Sequence, residues 1–151
     1  MTDPMTDTLL KETEQFLHQQ IPLTFAMGVQ LEHYDGDQLV LTAPLELNHN
    51  HLGTAFGGSL SALATLAGYS LLWLLLGDRQ AHIVVKSSSI RYLHPVTQNI
   101  RVICRKPSDT AVQDFRHAYA NKGRARLQLH ATVEEGHNQC VAFIGEFVAI
   151  K

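Results

Sequence analysis

The apolar period changes along the chain, and each change predicts an element. Between Thr8 and Gln20, Leu9, Leu10, Phe16 and Leu17 recur at helical intervals and give one partly apolar side, with Pro22 just beyond. Two short strand patterns follow, Val29–Tyr34 and Gln38–Pro44, joined by Asp35-Gly36, a pair that suits a tight hairpin turn. Leu60 to Leu76 carries no charge and predicts a long helix. The rest is mostly strand. His82–Tyr92 and Asn99–Lys106 flank a turn at Pro95. In Arg124–Glu134, Ala125, Leu127, Leu129, Ala131 and Val133 face one way and polar residues the other, as in a half-buried antiparallel strand. Glu135 to Asn138 makes a turn into a last strand, Cys140–Ile150, apolar on both faces. Between Lys106 and Gly123, Val112, Phe115 and Tyr119 predict a short helix capped by Ser108 or Asp109.

The long helix is the informative element. A helix on one face of a sheet shows one apolar stripe, whereas this one is apolar nearly all round and so must be surrounded. Gly57, Ser61, Ala64 and Gly68 recur at helical spacing and give a side where a neighbour can come close. A membrane span is the competing reading. The run is short of the ~20 residues that cross a bilayer, contains Ser61, Thr65 and Ser70, and lacks a basic flank. A curved antiparallel sheet wrapped around a central helix satisfies the whole pattern. With no repeat, low-complexity tract or linker, residues 1–151 read as one α+β domain.

Composition narrows the partners. With 45% apolar and 17% charged residues the chain can build a core, and a net charge of −2 without a long basic run argues against nucleic acid. The first residues, MTDPMTDTLL, have acids where a signal peptide has a basic flank. Cys104 and Cys140 lack C-x-x-C spacing and fall in apolar strands, so buried reduced thiols and a cytoplasmic location are expected.

Candidate chemistry lies in Asn50-His-Leu-Gly53-Thr-Ala-Phe56-Gly57-Gly58, running straight into the long helix. Glycines let backbone approach a ligand closely, and the first amides of a helix have no intrahelical acceptor and sit at the positive end of its dipole. A carbonyl oxygen held there gains stabilisation as it becomes an oxyanion, as in acyl-transfer chemistry. On the glycines alone, an ordinary loop leading into a buried helix is the better reading. No G-x-x-x-x-G-K phosphate loop and no G-x-S-x-G elbow occur.

The whole string resembles the N-x-x-G-x-x-H-G-G lead into the central helix of hot-dog acyl-CoA thioesterases, and Ser89-Ile-Arg-Tyr-Leu-His-Pro95 resembles the strand and Pro turn that follow it there. It is most similar to the C-terminal thioesterase domain of YiiD-type proteins, through Asn-x-x-Gly-Thr-x-Phe-Gly-Gly-Ser-Leu, Ile-Arg-Tyr-Leu and Lys122-Gly-Arg-Ala-Arg126, over Ile21 to Ile150. In those proteins the domain follows an acetyltransferase domain, which this sequence lacks, so the resemblance implies no acetyl transfer. It implies a hot-dog fold and hydrolysis of thioesters of coenzyme A or acyl carrier protein, with no cofactor and no metal. It also implies a homo-oligomer whose active site lies between subunits. Asn50 matches the residue that positions the thioester or the water, and Gly57 and Gly58 match the oxyanion-hole amides. Two positions depart: the His of H-G-G is Phe56, and the acidic residue two turns onward is Thr65, with no carboxylate between Glu46 and Asp78.

The general base is therefore open. Thr65 either returns its hydroxyl to the Ser61 carbonyl or orients water. Seven residues of helix, about 10 Å at ~1.5 Å per residue, separate it from Gly58, so it would serve a partner's site. His49 and His51 are candidates for the base, because histidine is the side chain suited to proton transfer near neutral pH, whereas His94 before Pro95 reads first as a turn residue; the His-x-His pair lacks a third metal ligand at a recognisable spacing. His51, Phe56 and Ser87 are expected to line the substrate, Ser87 within the Ser87-Ser88-Ser89 patch of an otherwise apolar strand. Arg91, Lys122, Arg124 and Arg126 either meet coenzyme A phosphates or form a solvated face. Two rival functions remain. One is a non-catalytic acyl-CoA sensor. The other is a thioester hydratase, which Phe56 and Thr65 argue against because that chemistry pairs a His with an acid.

Overall fold

The computed structural model describes residues 3–151. Helix α1 (Pro4–Gln20) begins before the expected Thr8, because Asp3 caps it and accepts the Met5 amide at 3.3 Å. Pro22 does not simply end that helix. It opens a short second one, α2 (Pro22–Ala26), at the position where proline lacks only an amide that would go unused. Strands β1 (Gln30–Tyr34) and β2 (Gln38–Ala43) form the expected hairpin. Asp35 Oδ1 accepts the amides of Asp37 and Gln38, both at 2.9 Å, and Gly36 takes φ 91°. A 3-10 turn at Leu45–Leu47 leads to the glycine-rich loop and α3 (Gly57–Leu76). Then come β3 (His82–Tyr92), β4 (Ile100–Arg105), α4 (Asp109–Lys122), β5 (Arg124–Glu135) and β6 (Asn138–Ile150). Ser108 caps α4, and Val112, Phe115 and Tyr119 are its buried residues.

The six strands form one antiparallel sheet in the order β1-β2-β4-β5-β6-β3, which curves around α3. Leu60, Leu63, Leu71 and Leu72 of α3 meet a sheet face carrying Leu129, Phe143 and Phe147, all buried. A methyl group added at Gly68 would collide with the Phe147 ring, so this glycine sets how closely helix and sheet approach. The α3 helix is long and apolar enough to cross a bilayer, yet it forms the centre of this core.

The enclosure is incomplete. Eleven of the twenty α3 residues are buried, but Gly58 is exposed and Ser61, Ala62, Thr65 and Tyr69 are only half-buried, which leaves one side open. An all-round apolar average hides this side because its residues are small rather than charged. Beside it lies β3, an eleven-residue edge strand paired on one side only, by β6.

Candidate active site

The loop before α3 is built by two asparagines. Asn48, 3% exposed, donates from Nδ2 to the carbonyls of Met27 (2.9 Å) and Pro44 (2.8 Å), and its own carbonyl accepts the Phe56 amide at 2.8 Å. Asn50 closes the turn itself. Its Oδ1 accepts the amides of Leu52 (2.8 Å) and Thr54 (3.2 Å), its Nδ2 donates to Thr54 Oγ1 at 2.9 Å, and Gly53 takes φ 79°. The Ala55 amide bonds to the Val96 carbonyl at 2.8 Å, tying the loop to the turn after β3.

The helix then starts without a cap. Phe56 occupies the cap position with φ −67° and ψ 132°, its side chain accepts nothing, and its ring lies against Gly58. Leu60 donates to the Phe56 carbonyl at 3.0 Å as the first turn closes, so the amides of Gly57, Gly58 and Ser59 stand ahead of the ladder. Tyr92, at the end of β3, lays its ring against Gly57 and donates its hydroxyl to the Gly57 carbonyl at 3.2 Å. A cavity of about 320 Å³ opens here, walled by Thr54, Gly57, Leu60, Tyr92, His94 and Val96. Tyr92 is the residue that sequence reasoning missed. In the sequence it is one more apolar strand position, and only the strand register brings it over the helix start.

The other predicted residues disperse. Thr65 Oγ1 donates to the Ser61 carbonyl at 2.9 Å. His49 donates from Nδ1 to the Asn50 carbonyl at 2.8 Å, and His51 is exposed on the loop. Among the described residues, no group of three metal-ligating side chains comes together. Ser87 pairs with Glu146, which in turn pairs with Gln128, on the outer face of the sheet, while Ser88 shares the inner face with Gly145 and Leu129. Arg91 lies on the outer face across from Ala142. Arg124 and Arg126 share that face at the far end of the sheet, with Arg126 3.5 Å from Glu146. Both cysteines are free and buried. Burial pushes the Cys104 thiol up to about 12 and raises that of Cys140, so neither is poised as a nucleophile.

Residues 10–151 match the family model described as "Putative thioesterase (yiiD_Cterm)". A protein of unknown function from Chlorobaculum tepidum is 34% identical, covers 96% of each chain and superposes with a TM-score of 0.89. A protein from Shewanella oneidensis, described as a putative thioesterase, is 29% identical with a TM-score of 0.82, covering 96% of this chain and 99% of that one. A thioesterase from Haemophilus influenzae shares the fold at 16% identity, with a TM-score of 0.69 over 94% of this chain and 90% of that one. Matched along nearly its whole length, the chain belongs to the YiiD C-terminal thioesterase family and has its hot-dog fold.

Proposed function

We propose that the protein hydrolyses an acyl thioester of coenzyme A or acyl carrier protein. The observation that carries this reading is the uncapped start of α3 beside the Tyr92 cavity. A thioester oxygen at the Gly57 and Gly58 amides meets donors that have no other acceptor, and negative charge growing on it is favoured by the helix dipole. Asn50 orients the thioester with the Nδ2 hydrogen that its loop bonds leave over. Water adds through its oxygen to the carbonyl carbon and passes a proton to a nearby His or to solvent, from which the departing sulfur later takes one. The tetrahedral intermediate then expels sulfur, which leaves with the C–S bonding pair and is protonated to the free thiol. Thr65 or a nearby His orients the water. Tyr92 is a positioning residue that fixes the first peptide of α3.

A second copy completes the site. The open side of α3 and the unpaired edge of β3 adjoin, and an exposed edge of this length is normally covered. Pairing of two β3 strands would bury both features and carry Thr65 of one copy toward the helix start of the other. Light scattering at micromolar concentration should give a dimer or larger, and monomeric elution would sink the shared site. Two buried free thiols fit a reducing cytoplasm.

One observation favours a binding module instead: no carboxylate lies between Glu46 and Asp78, and the Thr65 hydroxyl is engaged by Ser61. A thiol-release assay over short, medium, long and aromatic acyl-CoAs decides between the two readings. Release supports hydrolysis; tight binding without release supports the sensor.

A further inference from the structure

Hydrolysis at the start of α3 needs a group that takes a proton from water and returns one to sulfur. Among the described residues, no carboxylate walls the cavity there. Glu135 reaches the turn after β3, but both its oxygens are occupied. They accept the Thr97 amide (3.2 and 3.1 Å), the Thr97 hydroxyl (3.1 Å) and the Gln98 amide (2.9 Å). Thr65 can aim a water through its oxygen, but a hydroxyl does not hold a second proton near neutral pH. Histidine does both tasks.

Among the described residues, His94 is the histidine that walls this cavity, together with Gly57 and Tyr92; His49 and His51 do not border it. The rings of His18, His33 and His49 are each engaged by an oxygen, whereas the His94 ring has no hydrogen-bond partner among the described residues. Its backbone, by contrast, is held firmly. The Cys140 carbonyl accepts the amides of Leu93 (2.8 Å) and His94 (3.2 Å), and Pro95 fixes the next φ and restricts His94 itself. Just before it, the Tyr92 hydroxyl donates to the Gly57 carbonyl at 3.2 Å; just after it, the Val96 carbonyl accepts the Ala55 amide at 2.8 Å. The chain is therefore pinned on both sides of His94 to the junction of loop and helix. An exposed ring with free nitrogens is carried on a fixed backbone beside the free amides. The turn makes no use of the imidazole, since the bonds that shape it come from backbone and from Glu135.

We propose that His94 is the general base of the hydrolysis, supplied by the same chain as the amides that receive the oxyanion. The assignment rests on the hydrolase reading above. A neutral ring nitrogen accepts a proton from water as the water oxygen bonds to the carbonyl carbon, and the C=O π pair moves onto the oxygen at the Gly57 and Gly58 amides. That pair then returns, the C–S bond breaks with its electrons on sulfur, and the imidazolium gives its proton to the sulfur. The acid keeps the O–H of the water and the thiol takes the other hydrogen, so no further reactant is needed. A Thr65 hydroxyl from a second copy can aim the water without holding its proton, and the lack of a carboxylate between Glu46 and Asp78 is no obstacle to the chemistry.

The test is thiol release from short, medium, long and aromatic acyl-CoAs by the wild type, His94→Gln and His94→Ala, with coenzyme A affinity and melting temperature measured on the same samples. His94 is exposed, so both variants should melt like the wild type. Glutamine keeps a hydrogen-bonding side chain but does not carry a proton. Each variant should lose about 100-fold in kcat with coenzyme A affinity unchanged. Imidazole added in solution should restore the His94→Ala rate several-fold, whereas pyrazole, a ring of the same size that is far less basic, should not. A ring that only shapes the turn would respond to neither. Turnover within about three-fold of the wild type in both variants overturns the assignment and leaves hydrolysis standing. So does a fall that comes with weaker coenzyme A binding, or one that imidazole leaves untouched. If the wild type releases no thiol from any of these acyl-CoAs, hydrolysis itself is removed and the base with it.

Discussion

At its C-terminal end, α3 runs into Gly77, whose left-handed backbone (φ 66°) returns its amide to the Trp73 carbonyl at 2.9 Å. Side chains then close the end from several directions. Arg116 donates to the Leu75 carbonyl at 2.9 Å, Trp73 donates to Ala81 at 3.3 Å, and Tyr119 donates to Asp78 at 2.7 Å. The N-terminal end receives nothing comparable. A phenylalanine occupies its cap, and the nearby Thr54 hydroxyl is taken by Asn50. Among the described residues, the only side chain that bonds to the first turn is Tyr92, and it bonds to a carbonyl rather than to an amide. A missing cap costs about 1 kcal/mol of helix stability. The difference teaches that the two ends are finished differently: one is anchored by side chains, and the other leaves free donors, which the proposed hydrolase reading assigns to a ligand.

The largest expected effect comes from erasing that difference. Phe56 already has the extended backbone of a cap residue, so Phe56→Asp should cap the helix, place a negative charge at its positive end and raise stability by about 1 kcal/mol. With an oxyanion-hole donor occupied, turnover should fall about 100-fold. A variant that melts higher and keeps full thiol release would show that the free amides take no part in the chemistry.

Asn50 comes next and separates loop building from substrate contact. Asn50→Ala should lower turnover ten-fold or more, equivalent to ~1.4 kcal/mol. It should also cost about 1 kcal/mol of stability, because the Leu52 and Thr54 amides lose their acceptor. Asn50→Asp keeps that acceptor and removes the Nδ2 donor, so its stability should hold while its turnover falls. Wild-type turnover in both variants would reduce Asn50 to a turn residue.

The anchored end predicts a stability effect without a catalytic one. Tyr119→Phe removes the hydrogen bond to Asp78 and should cost about 1 kcal/mol with thiol release unchanged. The Tyr119 hydrogen bond, and then the Gln80 amide, hold the Asp78 carboxyl below its usual range. That contribution is present above the unfolded carboxylate value of about 3.9 and is lost as pH falls through the folded value. Burial, then Asp78, raises the Tyr119 hydroxyl to about 12. Its contribution is complete below the unfolded value of about 10 and is lost as pH rises toward 12. Melting curves of Tyr119→Phe should therefore be flatter than those of the wild type in both windows, and parallel curves would remove this tie.

Much of this arrangement was legible in the residues, and what was not has physical causes. The alternation of β5 and the all-apolar run of α3 fix a half-buried strand and a core helix, because burial imposes those periods directly. The helix-start glycines were legible because free amides follow from where a helix begins. Register and bulges were not. The bulge that makes Lys86 the extra residue and the pairing that puts Ser88 rather than Ser87 on the inner face depend on partners distant in sequence. Nor could the chain announce that the Asn50 carboxamide is largely spent on its own loop, since a turn-building asparagine and a substrate-binding one have the same letter.

The smallest effect is expected at Thr65, and it tests whether the open side of α3 does more than meet a partner. Its hydroxyl donates to the Ser61 carbonyl at 2.9 Å, which leaves the oxygen lone pairs available to hold a water. Thr65→Val keeps the β-branched shape and removes only the hydroxyl. The Ser61 carbonyl already serves the helix ladder, so the stability change should stay below about 0.5 kcal/mol and the oligomeric state should not change. If that oxygen orients the attacking water of a second copy, its loss should lower turnover about five-fold, the equivalent of ~1 kcal/mol from one neutral hydrogen bond. Thr65→Ser restores the oxygen without the methyl group and should recover most of the rate. Rescue by serine is what a merely structural threonine would not show. If Thr65→Val releases thiol at the wild-type rate from every acyl-CoA tested, Thr65 only packs the open side, and the base has to be sought among His49, His51 and His94. Of these, His94 already borders the cavity at the helix start.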